Sequence, residues 1–142
     1  MADSIYLTIF AILRILWRLL VPRTKVVFYR ESNGNAPLLE WLDSLPSGAI
    51  AKCRARLERL GELGYEIRRP EADLLRDGIY ELRIGLQGKN YRMLYFSHGN
   101  TAAVVSHGLV KERVVPPREI DRAIARKRNF ESDPTRHSYE ET

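Results

Sequence analysis

Residues 79–110 read IYELRIGLQGKNYRMLYFSHGNTAAVVSHGLV, and this stretch decides the fold. It contains three runs rich in β-branched and aromatic residues, at Ile79–Ile84, Tyr91–Ser97 and Thr101–Val110. Two glycine-containing segments, GLQGKN and the dipeptide Gly99-Asn100, separate these runs. Strand-forming runs joined by such short turns predict three consecutive antiparallel strands.

The turns also predict the register of the three strands. If the six-residue loop closes the first pair, Arg83 faces Arg92 directly. If the second turn has two residues, His98 pairs with Thr101, and His107 then lies opposite Arg92. The prediction is therefore a row of Arg83, Arg92 and His107 across one face of the sheet.

The opposite face is expected to form core, through Tyr80, Leu82, Tyr91, Met93, Tyr95 and Val104. Directly opposed arginines repel each other in a sheet unless an anion lies between them. A phosphate suits this position, because guanidinium groups bind its oxygens bidentately. The alternative is that both arginines pair with carboxylates, such as those of Glu81 and Glu112, and only keep the face polar.

The segments upstream of the three strands add a strand and two helices. Lys25–Arg30 (KVVFYR) predicts a first strand, and Pro37 begins a short helix that ends before Pro46. A second helix follows, with an apolar stripe formed by Ile50, Cys53, Leu57 and Leu60. We expect these two helices to pack together on one face of the sheet.

The segments around the strands complete an α+β domain. Arg68–Asp77 is expected to be a polar link, and Pro116-Pro117 begin a last helix with apolar residues on one side. From Asn129 onward the periodicity is lost, which predicts a loose tail. The order β-α-α-β-β-β-α predicts a single small α+β domain with a mainly antiparallel twisted sheet.

Composition fits one globular domain of 142 residues, with 44% hydrophobic and 29% charged residues. The single cysteine, Cys53, excludes an internal disulfide framework and a cysteine-based zinc site, so a reducing cytoplasm is expected. Because Cys53 lies on an apolar helical stripe, a buried thiol is favoured over a nucleophile.

The N-terminal segment Ile5–Val21 is the most apolar part of the chain, but it includes Arg14 and Arg18. A spanning helix needs about 20 apolar residues, and an arginine at its centre costs about 2.5–3.5 kcal/mol, so stable membrane insertion is not expected. Three interpretations stay open: an amphipathic helix docked on a partner or on the domain, a helix at a membrane surface, or residues upstream of the natural start.

The net charge of +5 comes from 23 lysines and arginines against 18 aspartates and glutamates, and it is unevenly spread. Residues 111–128 hold seven basic and three acidic residues, whereas residues 129–142 hold one basic and four acidic residues. A local basic patch favours a polyanionic partner. Composition alone does not separate RNA, DNA, an acidic protein or a solvated helix face.

Four motifs along residues 25–130 resemble the RelE/ParE superfamily of toxin–antitoxin toxins, and above all its HigB-like branch, which includes phage Gp49-like proteins. They are Tyr80–Arg83 (YELR), Tyr91-Arg92, His107–Lys111 (HGLVK) and Pro117–Ile120 (PREI). Each motif is weak alone, and their order and spacing make the resemblance specific. The sequence departs from the branch at two positions, where Leu109 replaces a phenylalanine and Glu112 replaces a second lysine.

The resemblance implies a RelE-like domain that cuts mRNA on the ribosome without a metal ion or cofactor. It also implies silencing by a HigA-like helix-turn-helix antitoxin in a prokaryotic or phage-derived cytoplasmic setting. ParE-like relatives instead poison DNA gyrase, which is one alternative. An inactive remnant that only binds RNA or antitoxin is a second, and a plain RNA-binding domain is a third.

The resemblance places Arg83 and Arg92 at the scissile phosphate and Lys111 at the basic end of the last strand. His107 completes the candidate catalytic set, because its pKa lies in the useful range. Five further basic residues are expected to contact RNA: Lys89, Arg113, Arg118, Arg122 and Arg126. No His, Asp or Glu pattern typical of a metal site is present, and His137 and Tyr139 are tail residues that could reach the site.

Three segments follow from these arguments: an extra helix or extension at residues 1–24, the toxin domain at 25–130 and a flexible tail at 131–142. Substituting Arg92 by alanine is predicted to abolish toxicity while folding and antitoxin binding persist.

Overall fold

The computed structural model describes residues 2–20, 23–100 and 102–139. These residues form four α-helices and six strands in an α+β arrangement. The helices are α1 (Ala2–Leu20), α2 (Pro37–Asp43), α3 (Ser47–Leu63) and α4 (Pro117–Ser132). The strands are β1 (Lys25–Tyr29), β2 (Ala72–Arg76), β3 (Ile79–Leu86), β4 (Lys89–His98), β5 (Ala102–Lys111) and β6 (Ser138–Tyr139).

The six strands form one open sheet in the order β2-β3-β4-β5-β1-β6. All neighbouring strands are antiparallel except β1 and β5, which are parallel. The prediction of an α+β fold with a mainly antiparallel sheet is confirmed.

The prediction of a polar link at Arg68–Asp77 is wrong, because residues Ala72–Arg76 of this segment form strand β2. Its partner is β3, and the two strands are joined by a tight turn at Asp77-Gly78. Both turn residues have positive φ, 52° and 77°, as the turns typical of two-residue hairpins require. The Asp-Gly dipeptide is a strong hairpin signal, but β2 itself (ADLLR) carries too many charges to be recognised as a strand by its composition.

The predicted pairing of β3 with β4 is confirmed, with Arg83 opposite Arg92. The loop between them is shorter than predicted, because Leu86 still pairs with Lys89. Only Gln87 and Gly88 form the turn, and both have positive φ.

The predicted pairing of β4 with β5 is wrong. His98 pairs with Ala102, and Thr101, its predicted partner, lies outside the described residues. Ser106 is then the extra residue of a β-bulge, because Val105 pairs with Tyr95 while His107 pairs with Leu94. His107 is therefore opposite Leu94 and not opposite Arg92.

The register of β5 against β4 departs from the prediction twice, by one residue at the turn and by one more at the bulge. These two shifts have different effects on which face of the sheet a side chain occupies. A shift of one residue moves a side chain to the other face, so Val104 lies beside Phe96 and not with Tyr91 and Met93 as predicted. The bulge adds a second shift of one residue. It returns His107 to the face that carries Arg83 and Arg92.

An apolar core lies on each face of the sheet. Helices α2 and α3 cover one core, which includes Leu38, Leu42, Cys53, Leu57, Leu60, Leu82, Ile84, Tyr91, Met93 and Tyr95. Helix α4 covers the other, which includes Ile79, Leu94, Phe96, Val104, Ile120, Ala123 and Phe130. Cys53 is fully buried, and burial raises the pKa of its thiol to about 11, so it is not a nucleophile at neutral pH.

The prediction of a loose tail from Asn129 is wrong for the described residues up to Tyr139. Helix α4 continues to Ser132, and β6 pairs with β1. His137 is buried, stacks on Tyr29 at 5.3 Å between ring centroids, and lies 2.8 Å from the carbonyl oxygen of Arg30. Residues 140–142 lie outside the described part of the chain.

Helix α1 shows an unusual surface. Its large apolar side chains between Ile5 and Leu16 are all at least 45% exposed, so this part of α1 is not docked on the domain. Among the described residues, no helix is long and apolar enough to cross a membrane.

Candidate functional site

The α4-side face of the sheet carries two arginines in directly opposed positions of neighbouring strands, Arg83 on β3 and Arg92 on β4. Glu81 lies on the same face of β3, two residues before Arg83. Its Oε2 atom is 3.2 Å from Nε of Arg92, and its Oε1 atom is 3.8 Å from Nε of Arg83. One carboxylate therefore lies close to two guanidinium groups.

Arg92 is the inner member of this cluster, with 4% of its side chain exposed. Its Nη1 group donates a hydrogen bond to the carbonyl oxygen of Tyr91. The close contact between Arg92 Nε and Glu81 Oε2 is an ion pair without hydrogen-bond geometry, and neither atom has another hydrogen-bond partner among the described residues. Burial lowers the pKa of Arg92, and the charge of Glu81 opposes that effect.

Arg83 is the outer member, with 33% of its side chain exposed. Its backbone N–H donates to the carbonyl oxygen of Glu71, which holds the edge of β3 at this point. Since Glu81 lies closer to Arg92 than to Arg83, the charge of Arg83 is the less compensated of the two. Arg83 is the guanidinium group of the pair that can reach a ligand.

Lys111 lies at the end of β5 on the same face as the two arginines, opposite Asn90 of β4. Its side chain is partly exposed. We call Arg83, Arg92 and Lys111 the basic face. Lys89, in the turn end of β4, and Arg113, just beyond β5, are exposed at the same end of the sheet.

His107 lies on the face of the arginines but is bound to other groups. Its Nε2 atom is 2.7 Å from Oε2 of Glu119 on α4, and its Nδ1 atom is 2.8 Å from Oγ of Ser106. Arg126 Nη1 donates to the same Ser106 oxygen at 3.3 Å. Because the carboxylate of Glu119 can only accept, a neutral ring carries its proton on Nε2 and donates to Glu119, and Nδ1 then accepts from the hydroxyl of Ser106.

The environment of His107 keeps the imidazole neutral. Burial is the largest cause and the charge of Arg126 the second, and together they lower its pKa to about 4 against the opposing effect of Glu119. The side chain is 6% exposed and both ring nitrogens are engaged. In this arrangement His107 holds α4 against the bulge of β5 and has no free nitrogen for a substrate.

The three arginines of α4 that were predicted to contact RNA differ in exposure. Arg118 is 80% exposed and Arg122 is 54% exposed, although both lie near Glu119. Arg126 is only 14% exposed, because it donates to Glu31 and Ser106 and lies 5.6 Å from the ring centre of Tyr29. Arg126 thus joins α4 to β1 and β5, while Arg118 and Arg122 remain accessible.

The predicted site residues are therefore only partly brought together. Arg83, Arg92 and Lys111 share one face, whereas His107 is held in a separate network. The possibility that His137 and Tyr139 reach the site is not realised, because both lie at the β6 edge of the sheet, which β5 and β1 separate from β4.

Sequence reasoning missed the structural roles of Ser106 and Glu119. The signal that could have indicated a role for Glu119 is its place in the motif Pro117–Ile120, at the first turn of α4. The role of Ser106 depends on the bulge, which has no sequence signal here. Within residues 2–20, 23–100 and 102–139, no group of three or more His, Cys, Asp or Glu side chains is arranged to hold a metal ion.

Comparison with family models gives a match to the phage-derived Gp49-like proteins over residues 40–128. This range includes α3, strands β2 to β5 and most of α4, and thus the basic face. The chain belongs to the Gp49-like family. It is a RelE/ParE-like toxin family, so membership indicates a toxin of a toxin–antitoxin system with an antitoxin partner. A search of curated proteins gave no match.

Proposed function

We propose that this Gp49-like chain is a type II toxin that cleaves mRNA on the ribosome without a metal ion. A helix-turn-helix antitoxin of the HigA-like kind would silence it in the cytoplasm of its prokaryotic host. The observation that carries this proposal is the pair of opposed arginines, Arg83 and Arg92, which share a single carboxylate.

The charge balance of the basic face supports a phosphate ligand. Three cations, Arg83, Arg92 and Lys111, share this face with Glu81 and Asp73; the buried partner of Glu81 is Arg92, and Asp73 pairs with Arg69. The positive charge that remains belongs to Arg83 and Lys111, which are partly exposed. A guanidinium group binds two phosphate oxygens at once, so Arg83 is suited to hold a phosphodiester.

The proposed reaction is attack of an RNA 2′-oxygen on the adjacent phosphorus. The new bond joins the 2′-oxygen to phosphorus, the bond from phosphorus to the 5′-oxygen breaks, and a cyclic phosphate and a free 5′-hydroxyl result. Arg83 would stabilise the charge that develops on the phosphate. Lys111 would protonate the leaving 5′-oxygen, while the 2′-hydroxyl loses its proton to water.

The structure changes the role proposed for two residues. Arg92 would act indirectly, by neutralising Glu81 so that the charge of Arg83 stays available to a phosphate, because its own side chain is buried. His107 would position α4, because its two nitrogens bind Ser106 and Glu119. Contacts to more distant phosphates are proposed for Lys89, Arg113, Arg118 and Arg122.

The test is brief expression of the chain in a bacterial host, with sequencing of new RNA 5′ ends and an SOS reporter measured together. Discrete cleavage sites without SOS induction support the proposal. SOS induction without cleavage would instead identify a gyrase poison, and the absence of growth arrest with retained antitoxin binding would identify an inactive remnant.

A matched pair of variants links the activity to the basic face. Arg83→Ala should abolish the cleavage sites, whereas Arg54→Ala should retain them, because Arg54 is an exposed arginine of α3 on the opposite side of the sheet. Equal activity of Arg83→Ala and Arg54→Ala would refute the proposed site.

A further inference from the structure

A second cluster of cations lies where α3 crosses the edge of the sheet. It surrounds an open depression of about 190 Å³, lined by Lys52, Ala55, Arg56, Arg59, Glu71, Ile84 and Gly85. Three of these side chains are basic and one is acidic. We call this site the edge depression.

The charges of the edge depression are only partly compensated. Glu71 accepts hydrogen bonds from Arg59 at 2.9 and 3.0 Å and forms an ion pair with Arg56 at 3.0 Å, so two guanidinium groups share one carboxylate. Lys52 lies 3.2 Å from the carbonyl oxygen of Gly85, a neutral acceptor, and is otherwise exposed. Glu62 lies 3.6 Å from Arg59 outside the depression, but it also pairs with Arg23.

The edge depression and the basic face are neighbours across β3. Arg83 points to the α4 side, and the next residue, Ile84, lines the depression on the α3 side. Glu71 connects the two directly, because its carbonyl oxygen accepts from the backbone N–H of Arg83 while its carboxylate binds the arginines of α3.

The edge of β3 is open between the two sites. Strand β2 pairs with β3 only as far as Leu82, and the backbone contact of Glu71 is the last one on this edge before Gly85. Gly85 has no side chain, and a Cβ built on it would meet nothing within 4 Å. A chain of phosphates could therefore pass from one face of the sheet to the other at Gly85.

We propose that the edge depression is a second phosphate-binding site, which holds the backbone of single-stranded RNA as the strand leaves Arg83 and turns around the edge of β3 at Gly85. This inference rests on the proposed function. Lys52 and the outward N–H groups of Arg56 and Arg59 bind the phosphate, and Glu71 keeps the two arginines in place. Basic grooves that follow the backbone in this way bind single strands with little sequence preference.

The experiment measures fluorescence anisotropy with 5′-labelled RNA of about 4 and about 12 nucleotides. All sugars carry a 2′-O-methyl group, so the RNA has no attacking hydroxyl and stays intact. Lys52→Glu is compared with Arg54→Glu, which makes the same change of net charge two residues away on the same helix, at a residue that does not line the depression. Circular dichroism confirms that both variants fold.

Lys52→Glu should weaken binding of the long RNA about tenfold more than Arg54→Glu does, and should leave the short RNA bound at Arg83 unchanged. The slope of log K against log salt for the long RNA should fall by about 0.7 for each lost phosphate contact. Gly85→Leu, which places a side chain in the path, should also weaken only the long RNA.

Other results overturn the inference. If Lys52→Glu and Arg54→Glu are equal while Arg83→Ala weakens both RNAs, the edge depression is not a phosphate site and the proposed function stands. If Lys52→Glu weakens both RNAs equally, or impairs antitoxin binding and not RNA binding, the site is not a distal RNA contact. If wild-type protein binds neither RNA, this inference fails, whereas the proposed function is decided by its own cleavage test on the ribosome.

Discussion

Substitution of Arg92 by alanine should unfold part of the population and not only remove a cation. In the folded chain the side chains of Arg92 and Glu81 are 4% and 6% exposed. Removing the guanidinium group leaves the carboxylate of Glu81 buried, with Arg83 3.8 Å away as its nearest positive charge. Breaking a buried ion pair on one side costs about 3–5 kcal/mol, which is a large part of the 5–15 kcal/mol typical of a domain.

Urea denaturation of purified variants, followed by circular dichroism, measures this cost. We expect Arg92→Ala and Glu81→Ala each to lose about 3–5 kcal/mol of unfolding free energy. The double variant Glu81→Leu/Arg92→Met should recover most of that loss, because well-packed apolar groups often replace a buried pair at no net cost. Arg83→Ala is the control, and its partly exposed, longer contact with Glu81 should be worth less than about 1 kcal/mol.

A loss below about 1 kcal/mol for Arg92→Ala would refute the view that this pair is buried and strongly coupled. So would a double variant Glu81→Ala/Arg92→Ala that is as unstable as the sum of the two single alanine variants, because additive effects mean that the two side chains do not interact. The result also bears on the toxicity test predicted from the sequence. Loss of toxicity in Arg92→Ala cannot be assigned to catalysis unless the variant is shown to be folded, whereas Arg83→Ala gives a clean answer.

Three further perturbations test other parts of the structure. The pKa of His107 is lowered from 6.5 to about 4, so the unfolded chain binds a proton that the folded chain does not. Stability is therefore fully present above pH 6.5 and falls by up to about 3 kcal/mol as the pH drops from 6.5 to 4; His107→Gln, measured by urea denaturation at pH 5 and 7, should lack this component. Gly108→Ala should lower the unfolding free energy by about 1–3 kcal/mol, because the added Cβ would overlap with the ring of Trp41, and thermal denaturation will show whether it does. His137→Ala should expose the β1 edge, so hydrogen exchange should speed up at Tyr29 and Arg30 while the centre of β4 stays protected.

The β3–β4 hairpin was predictable because its turn and its hydrophobic pattern agree. The predicted pairing of Arg83 with Arg92 needed only the alternation of core residues and the glycines of GLQGKN. Helix α2 was equally clear, since Pro37 stands at its first turn and the apolar residues follow at helical spacing. Both features are determined by residues close together in the sequence, and such local patterns can be read from a single sequence.

The register of the β4–β5 hairpin could not be predicted, because it depends on contacts that are distant in sequence. Ser106 is accommodated as a bulge since its hydroxyl binds Arg126 of α4 and the neighbouring His107, which in turn binds Glu119 of α4, so this arrangement requires α4 to be in place. The burial of Arg92 has the same origin. Periodicity shows that an arginine shares a face with Arg83, but not whether another element covers it or which carboxylate lies beside it.

Burial changes which basic residues can explain a polyanionic partner. Arg92, His107 and Arg126 are 14% exposed or less and have partners within the chain, so removing them alters stability before it alters binding. The cations that remain accessible include Arg83 on the basic face, Lys52 beside it on α3, and Arg118 and Arg122 on α4. If the partner is a phosphate chain, the salt dependence of its affinity must therefore come from these exposed residues. A variant of a buried residue must then bind as tightly as the wild-type protein when the two are compared at the same concentration of folded protein.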